Sequence, residues 1–262
     1  MKIFSGWYSH QKSTWPRSDW IGYAITNQIN WCRLIGFDYN FVASPMLEWS
    51  KLCHDPGAWA FGSFIKYEAM KVFLDDTKLG DIFFWIDLDI YPNDTASVTD
   101  FLNIGQTVLF APLCNKGLLI DYDSYSCSKM FWSNLQLKET YYAFNSGIFT
   151  MSRANVENFF NWLNKDHSMN TIIWWNDYRD KKIAIKNQVD IFLINEGRKH
   201  KDCKATLDWI GTDEMLFEDW LHEIKLEFND YSSYGLISAP DDPKHAKFVH
   251  YYGSNKLKYP KI

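Results

Sequence analysis

The first 43 positions contain two short stretches rich in apolar residues, separated by a longer amphipathic stretch. The short stretches at 1–5 and 37–43 predict strands. Between them, apolar side chains recur at helical spacing from Trp20 onward, after a Ser-Asp pair suited to a helix start. Gly36 follows the last of them as the expected stop. The pattern therefore predicts a strand, a helix and a second strand, in that order.

Helices and strands continue to alternate further along the chain. A Ser-Pro start predicts a helix over 44–52, and a broad apolar face predicts another over 61–74, which leads into a strand over 81–90. Further strands are predicted at 107–112 and 146–151, and further amphipathic helices at 155–163 and 215–224. This alternation indicates an α/β fold with a largely parallel central sheet flanked by helices.

Composition predicts one globular domain and argues against nucleic-acid binding. The 262 residues are 47% hydrophobic and 23% charged, with no Pro-, Gly- or Ser-rich linker, so one domain is expected over 1–262. A net charge of −5 is unlike the basic surfaces that bind phosphate backbones. The 18% aromatic content fits a bulky core, and it also suits the flat apolar faces of sugars.

Neither the cysteines nor the N-terminus indicates export or membrane insertion. The five cysteines are odd in number and scattered, without a C-x-x-C pair, so no disulfide framework or zinc site is indicated. The opening MKIFSGWYSH reaches polar residues too soon for a signal peptide or a membrane span. The prediction is a cytoplasmic protein with no membrane span.

Two acids interrupt the most apolar strand candidate, in the stretch FFWIDLDIYPNDT at 83–95. If the strand runs through position 90, Asp87 and Asp89 project from the same face, in the row extended by Trp85. Carboxylates this close repel unless a cation lies between them, and Mg²⁺ or Mn²⁺ takes such oxygens. For a lone D-x-D, a solvated pair of loop acids is an equally good interpretation.

A second motif near the C-terminus favours the metal interpretation. The run FVHYYGSNKLKYP carries His250, Gly253 and Lys256 at H-x-x-G-x-x-K spacing. It offers an imidazole that can bind a metal, a glycine that lets backbone approach closely, and a cation suited to phosphate. With the two aspartates it predicts a clamp for a metal ion and a diphosphate.

The order of these motifs resembles that of GT-A-fold, nucleotide-sugar-dependent glycosyltransferases, whose fold is Rossmann-like. The likeness is to retaining families such as the glycogenin and bacterial galactosyltransferase group. It implies a nucleotide-binding half over 1–95 that ends in the D-x-D, and an acceptor-side half over 96–262. By this resemblance Mn²⁺ or Mg²⁺ is bound by three ligands, and Gly253 and Lys256 contact the donor diphosphate. The implied metal ligands are Asp87, Asp89 and His250.

The resemblance extends to four further donor-site positions. The helix before the D-x-D strand resembles the family helix whose basic residue reaches the donor, which matches Lys66, with Lys71 as the alternative. Ser5 and Tyr8 stand where these folds bind the nucleotide base, and YYAFNSGIFTM resembles the N-x-G strand, with Asn145 contacting the donor sugar or acceptor.

Two segments compete for the reacting centre. Asp213 and Glu214 in TLDWIGTDEMLF resemble the D-E of the blood-group-type transferases, in which the Glu lies near the anomeric carbon; helix capping explains them equally well. Asn187 and Gln188 resemble the D-Q-D run of the glycogenin-like group but depart from it. The preferred catalytic pair is Asp213 and Glu214.

The function implied is transfer of a sugar, with retention, from a nucleotide diphosphate sugar to a hydroxyl of a glycan or glycoconjugate acceptor. A UDP-sugar is the favoured donor. One rival is a haloacid-dehalogenase-type phosphatase, which also opens on D-x-D after an apolar strand but wants Thr or Val where Tyr91 stands. The other is a non-catalytic module that binds sugar nucleotides.

Overall fold

The computed structural model describes residues 1–7, 20–43, 59–110, 113–114, 141–142, 145–165, 217, 220–221, 223–231, 234–238, 240, 246–251 and 258–261. The strands in these ranges are β1 (Lys2–Gly6), β2 (Asp38–Val42), β3 (Ile82–Ile86), β4 (Ile90–Pro92), β5 (Val108–Phe110), β6 (Leu113–Cys114), β7 (Tyr141–Tyr142), β8 (Asn145–Ser152), β9 (Asn229–Asp230), β10 (Ile237–Ser238) and β11 (Phe248–His250). The α-helices are α1 (Trp20–Ile35), α2 (Trp59–Asp75), α3 (Thr99–Leu102) and α4 (Arg153–Asn164), and a 3₁₀ turn covers Thr77–Leu79.

Six strands form the central sheet, in the order β2-β1-β3-β8-β5-β9. β1 pairs in parallel with β2 and β3, and β5 pairs in parallel with β9. β8 is antiparallel to both of its neighbours, β3 and β5. Five strands therefore run in one direction and β8 in the other, which confirms the predicted α/β fold with a largely parallel sheet.

β3 lies in the middle of this sheet and is covered on both faces. Phe83 and Trp85 pack with side chains of α2 and α4, whereas Phe84 and Ile86 pack with side chains of α1 and α3. A strand buried on both faces has no polar face, which explains its continuous apolar run. The first polar side chain after it, at position 87, therefore lies at the edge of the sheet.

Close packing of α2 on the sheet depends on Gly6, the last residue of β1. A Cβ at this position would lie 2.8 Å from the carbonyl oxygen of Val42 and 2.9 Å from Cγ1 of Ile65. Contacts that short do not occur for real Cβ atoms, so glycine is required here. Its absence of a side chain lets α2, which carries Lys66, lie against the ends of β1 and β2.

Most of the other predicted elements are confirmed where the structure describes them. The helix predicted up to Gly36 ends at Ile35, with Gly36 at a φ of 75°, as a helix stop requires. Of the helix predicted at 215–224, the described positions 217, 220, 221, 223 and 224 are helical, and the helix predicted over 44–52 lies outside the described residues. In the described part of the chain no helix is long and apolar enough to cross a membrane.

Candidate functional site

The D-x-D lies in a turn, not in a strand. β3 ends at Ile86, and Asp87 to Ile90 form a turn closed by a 3.0 Å hydrogen bond from the Ile90 N–H to the Asp87 carbonyl oxygen. The strand predicted over 81–90 is therefore wrong at its end. Because the two acids lie in a turn, the alternation of a strand does not determine the directions of their side chains. Leu88 is buried, at 2% exposure, among aromatic rings at the tip of the turn. The alternation of apolar residues in the sequence therefore continues through the turn as it would in a strand.

The turn stands at the carboxyl edge of the parallel strands, the edge where α/β sheets bind ligands. Its start is fixed to β8, because the Asp87 N–H donates to the Gly147 carbonyl oxygen at 2.7 Å. β8 thereby brings the N-x-G segment predicted from sequence, Asn145 to Gly147, beside the first acid. Both acids thus lie near the carboxyl end of a buried strand, with Asp87 directly after β3.

The carboxylate of Asp87 is held by two neighbours. The indole N–H of Trp85 donates to Oδ1 at 2.6 Å, and the ammonium nitrogen of Lys66 lies 3.7 Å from the same oxygen. Trp85 and Lys66 are buried at 1% and 2% exposure, whereas the Asp87 side chain is 32% exposed. One side of this carboxylate thus faces protein donors, and the group is still accessible from solvent.

Lys66 is tied to β8 as well as to the acid. Its Nζ donates to the carbonyl oxygen and to Oγ of Ser146, at 3.0 and 2.6 Å. The alternative basic residue, Lys71, instead pairs with Asp75 on the solvent side of the same helix. Of the two lysines matched to the family helix, Lys66 is the one that reaches the D-x-D.

The second acid meets the predicted histidine. β4 pairs with β11 in antiparallel register, with Ile90 opposite His250, and the Tyr251 N–H donates to the Asp89 carbonyl oxygen at 2.7 Å. This pairing places Nε2 of His250 3.4 Å from Oδ1 of Asp89. Both side chains are mostly buried, at 16% and 12% exposure. Two motifs separated by about 160 positions of sequence are therefore in contact.

Beyond β11, the chain is anchored again beside the turn. Tyr259 is buried at 2% exposure in the cluster that takes up Leu88, with its ring centroid 6.0 Å from that of Trp20. It also contacts the rings of Tyr91 and Tyr251, at 5.7 and 5.3 Å. In the sequence, Gly253 and Lys256 fall between the described residues His250 and Tyr259.

The remaining predicted site residues are only partly described. Ser5 lies on β1 and is fully buried, at 0% exposure. Asn145 begins β8, where its backbone is paired opposite Phe110. The others lie outside the described residues and stay predictions: Tyr8, Asn187, Gln188, Asp213, Glu214, Gly253 and Lys256.

The ligand chemistry of Asp89 and His250 fits a divalent cation, because Mg²⁺ and Mn²⁺ accept carboxylate oxygen and Mn²⁺ also accepts imidazole nitrogen. Among the described residues, no group of three or more His, Cys, Asp or Glu side chains is close enough together to hold a metal ion. Oδ1 of Asp87 instead faces Trp85 and Lys66. The described part of the site thus contains the Asp89–His250 pair, with the Asp87 carboxylate nearby in the same turn as Asp89.

Three residues of the site were not identified from sequence. Ser146 holds Lys66, Trp85 holds Asp87, and Gln28 of α1 donates from Nε2 to the carbonyl oxygens of Asp87 and Ile90, at 2.9 and 3.2 Å. Only Ser146 had a local signal, as the neighbour of the predicted Asn145. Gln28 sits inside an ordinary amphipathic helix, where nothing marks it.

The solved structures that are similar to this chain include glycosyltransferases. A glycosyltransferase involved in the glycosylation of the major capsid of PBCV-1 superposes with a TM-score of 0.50 at 16% identity, covering 98% of this chain and 96% of that one. The galactosyltransferase LgtC gives 0.43 at 12% identity, with 97% and 88% covered. Mouse xyloside xylosyltransferase 1 gives 0.45 at 12% identity, with 99% of each chain covered.

No protein-family model matches the sequence, and no curated protein matches it significantly. At these identities a structural likeness establishes the fold. The chain spans nearly the whole length of the capsid glycosyltransferase and shares its arrangement of sheet and helices. The protein therefore has the GT-A-type glycosyltransferase fold that its motif order indicated.

Proposed function

We propose that this protein is a metal-dependent glycosyltransferase. It transfers a sugar from a nucleotide diphosphate sugar, with UDP-sugars favoured, to a hydroxyl of a glycan or glycoconjugate acceptor, with retention. The observation that carries the proposal is the contact between Asp89 and His250 beside the Lys66–Asp87 pair, at the carboxyl edge of a glycosyltransferase-type sheet. A diphosphate needs cationic partners, and a hard cation needs carboxylates.

The ligand set supports a site for Mn²⁺ or Mg²⁺ held by Asp87, Asp89 and His250. When bound, the ion neutralises charge on the leaving diphosphate as a Lewis acid. His250 is oriented for this role by the β4–β11 pairing, which fixes its backbone opposite Ile90. Lys66 adds positive charge from the other side of Asp87, at 3.7 Å.

In the reaction, the bond between the anomeric carbon and the diphosphate oxygen breaks, and a bond from that carbon to the acceptor oxygen forms. The nucleotide diphosphate leaves with the bonding electron pair, and its leaving oxygen takes the proton of the acceptor hydroxyl. Lys256 and Gly253 hold the diphosphate in this proposal, and Glu214, with Asp213 beside it, faces the positive charge that develops at the anomeric carbon. Ser5 and Tyr8 serve the nucleotide base, and Asn145 and Gln188 the sugar.

The test is release of nucleotide diphosphate from a panel of UDP- and GDP-sugars, with and without simple sugar acceptors. We expect release that requires Mn²⁺ or Mg²⁺, stops with EDTA and is lost in Asp89→Asn. Lys71→Met is the matched control, because Lys71 pairs with Asp75 away from the site. NMR of the product's anomeric proton reports whether configuration is retained.

Two outcomes would contradict the proposal. Turnover of a phosphatase substrate with Mg²⁺ that is lost in Asp87→Asn, with no nucleotide-sugar binding, would favour the phosphatase. Metal-dependent donor binding with no transfer or hydrolysis would favour a binding module.

A further inference from the structure

The turn that carries both acids is held in place by side-chain hydrogen bonds from α1. Gln28 is fully buried, at 0% exposure, and uses both N–H groups of its amide on this turn. They donate to the carbonyl oxygens of Asp87, at 2.9 Å, and Ile90, at 3.2 Å, the first and last residues of the turn. One side chain therefore bridges the two ends of the turn that contains the D-x-D.

The amide of Gln28 is itself oriented by β2. The hydroxyl of Tyr39 donates to Oε1 of Gln28 at 3.0 Å, which fixes the oxygen on that side and directs the nitrogen at the two carbonyls. Burial raises the pKa of Tyr39, so the hydroxyl stays protonated and remains a donor. A flipped amide would place its oxygen against both carbonyl oxygens.

Glutamine is the side chain that this arrangement requires. It offers two N–H groups on one nitrogen and an acceptor on the neighbouring oxygen. An ionised glutamate in its place offers no donor, and a methionine of similar size offers neither donor nor acceptor. The Asp87 N–H is bonded to β8, and the Asp89 carbonyl is bonded to Tyr251, the residue after β11. Gln28 therefore supplies a third set of hydrogen bonds that hold the turn.

Resting on the function proposed above, we propose that Gln28, oriented by Tyr39, is a positioning residue that sets the turn backbone and thereby the placement of the Asp87 and Asp89 carboxylates for the cation. Groups that orient metal ligands from outside the coordination shell typically change metal affinity by roughly 10–100-fold. Gln28 contacts the backbone of the turn and so acts on the carboxylates indirectly. Removing its hydrogen bonds should therefore lower metal affinity by about tenfold.

Gln28→Met tests this because it keeps size and removes every hydrogen bond. Trp31→Phe is the matched control, since Trp31 lies one turn further along α1, is also buried, and donates to the carbonyl oxygen of Ala96 at 2.9 Å, outside the acid turn. The first readout is Mn²⁺-dependent binding of UDP by calorimetry. Gln28→Met should bind about tenfold more weakly, and Trp31→Phe should bind as the parent does.

The second readout needs no ligand. The indole N–H of Trp85 donates to Asp87, so its proton–nitrogen NMR signal reports where that carboxylate lies. The signal is assigned by its absence in Trp85→Phe. It should shift in Gln28→Met and, less far, in Tyr39→Phe, while most other indole signals stay in place. In Trp31→Phe it should not move.

A folded Gln28→Met that binds like the parent with an unmoved Trp85 signal would overturn the inference. So would an equal loss of binding in Trp31→Phe, which would show a general effect of loosening α1. If Gln28→Met does not fold, Tyr39→Phe decides, with a few-fold weaker binding expected and parental behaviour contradicting the inference. If the parent shows no metal-dependent nucleotide binding, the proposed function fails. The shift of the Trp85 signal then remains as the test of whether Gln28 positions the turn.

Discussion

The central sheet has two edges across its strand ends, one where β3 ends and one where β3 begins. Each of these edges carries a basic side chain, and the two side chains have different contacts. At the edge where β3 ends, Lys66 faces the Asp87 carboxylate and the Ser146 hydroxyl. At the edge where β3 begins, Arg153 donates to the backbone carbonyl oxygens of Leu74, Asp76 and Gly80, at 2.9 to 3.2 Å. The guanidinium also lies 4.2 Å from the ring centroid of Phe73.

The difference lies in what each cation holds. Arg153 holds the connection between α2 and β3, and its bonds go to neutral backbone groups, which is a way to stabilise a fold. Lys66 is buried next to an acid that solvent reaches. The same turn carries a second acid, Asp89, which the imidazole of His250 on β11 contacts. Burying a cation there costs desolvation free energy that ordinary packing would avoid. We therefore expect the edge that carries Arg153 to contribute to stability and the edge that carries Lys66 to contribute to binding.

The largest effect is expected at the second acid. Asp89→Asn and His250→Ala should each weaken Mn²⁺ binding by more than the roughly 10–100-fold that an outer partner contributes, because each removes a proposed ligand. Electron paramagnetic resonance of free Mn²⁺ measures the affinity. The double variant should be little worse than either single one, since contacting residues that act as a unit are not additive. Losses that simply add would contradict a shared site.

Among these variants, Arg153→Met should cause the largest loss of stability. It removes the carbonyl bonds of the guanidinium and should lower the free energy of unfolding by about 3 kcal/mol, measured by urea denaturation. For a chain of this length the melting temperature should fall by roughly 5–10 °C. Binding of metal and nucleotide by the folded variant should be unchanged. A binding loss without destabilisation would remove the distinction between the two edges.

Lys66→Met should show the opposite behaviour. Removing the ammonium relieves its desolvation cost, and solvent still reaches Asp87, but the buried oxygens of Ser146 lose this donor. The free energy of unfolding should therefore fall by about 1–2 kcal/mol, less than in Arg153→Met. Donor affinity should fall by about tenfold, since the charge beside Asp87 is lost. Calorimetry and denaturation of the same sample compare the two quantities, and Lys71→Met should alter neither. If Lys66→Met unfolds the protein while Arg153→Met does not, the assignment of the edges is reversed.

The smallest effect is expected from Trp85→Phe. It removes the indole donor to Asp87 and keeps the ring that packs against Phe83. Since Lys66 still faces the same oxygen, metal affinity should fall by about threefold to tenfold, at or below the low end for an outer partner. Titration of Mn²⁺ followed by calorimetry checks this. An affinity equal to the parental one would mean that the hydrogen bond does not orient the acid.

Local pattern was sufficient for the elements around the site. The apolar run of β3 and the helical spacing in α1, α2 and α4 predicted these elements, and the acids were expected at the end of a buried strand. The H-x-x-G-x-x-K spacing identified His250, which the structure brings to Asp89. These signals are short in range, or they depend on residue types that carry chemistry.

The turn itself was not predictable, and the reason is physical. Ile86, Leu88 and Ile90 are all buried, so apolar residues alternate through the turn as they would in a continuous strand. What ends β3 is a set of long-range bonds, from the Asp87 N–H to β8 and from Gln28 to the turn carbonyls. Neither partner is marked locally, because a buried glutamine and a strand carbonyl leave no periodic signal.

We propose that the Asp87–Ile90 turn and His250 form a metal-dependent site for a sugar nucleotide. Calorimetric titration of UDP- and GDP-sugars into the parent protein, with Mn²⁺ and with EDTA, tests this when it is repeated with Asp89→Asn. At least one donor should bind in a way that needs Mn²⁺ and is lost in the variant. Binding that is equal with EDTA, or that persists unchanged in Asp89→Asn, would contradict it.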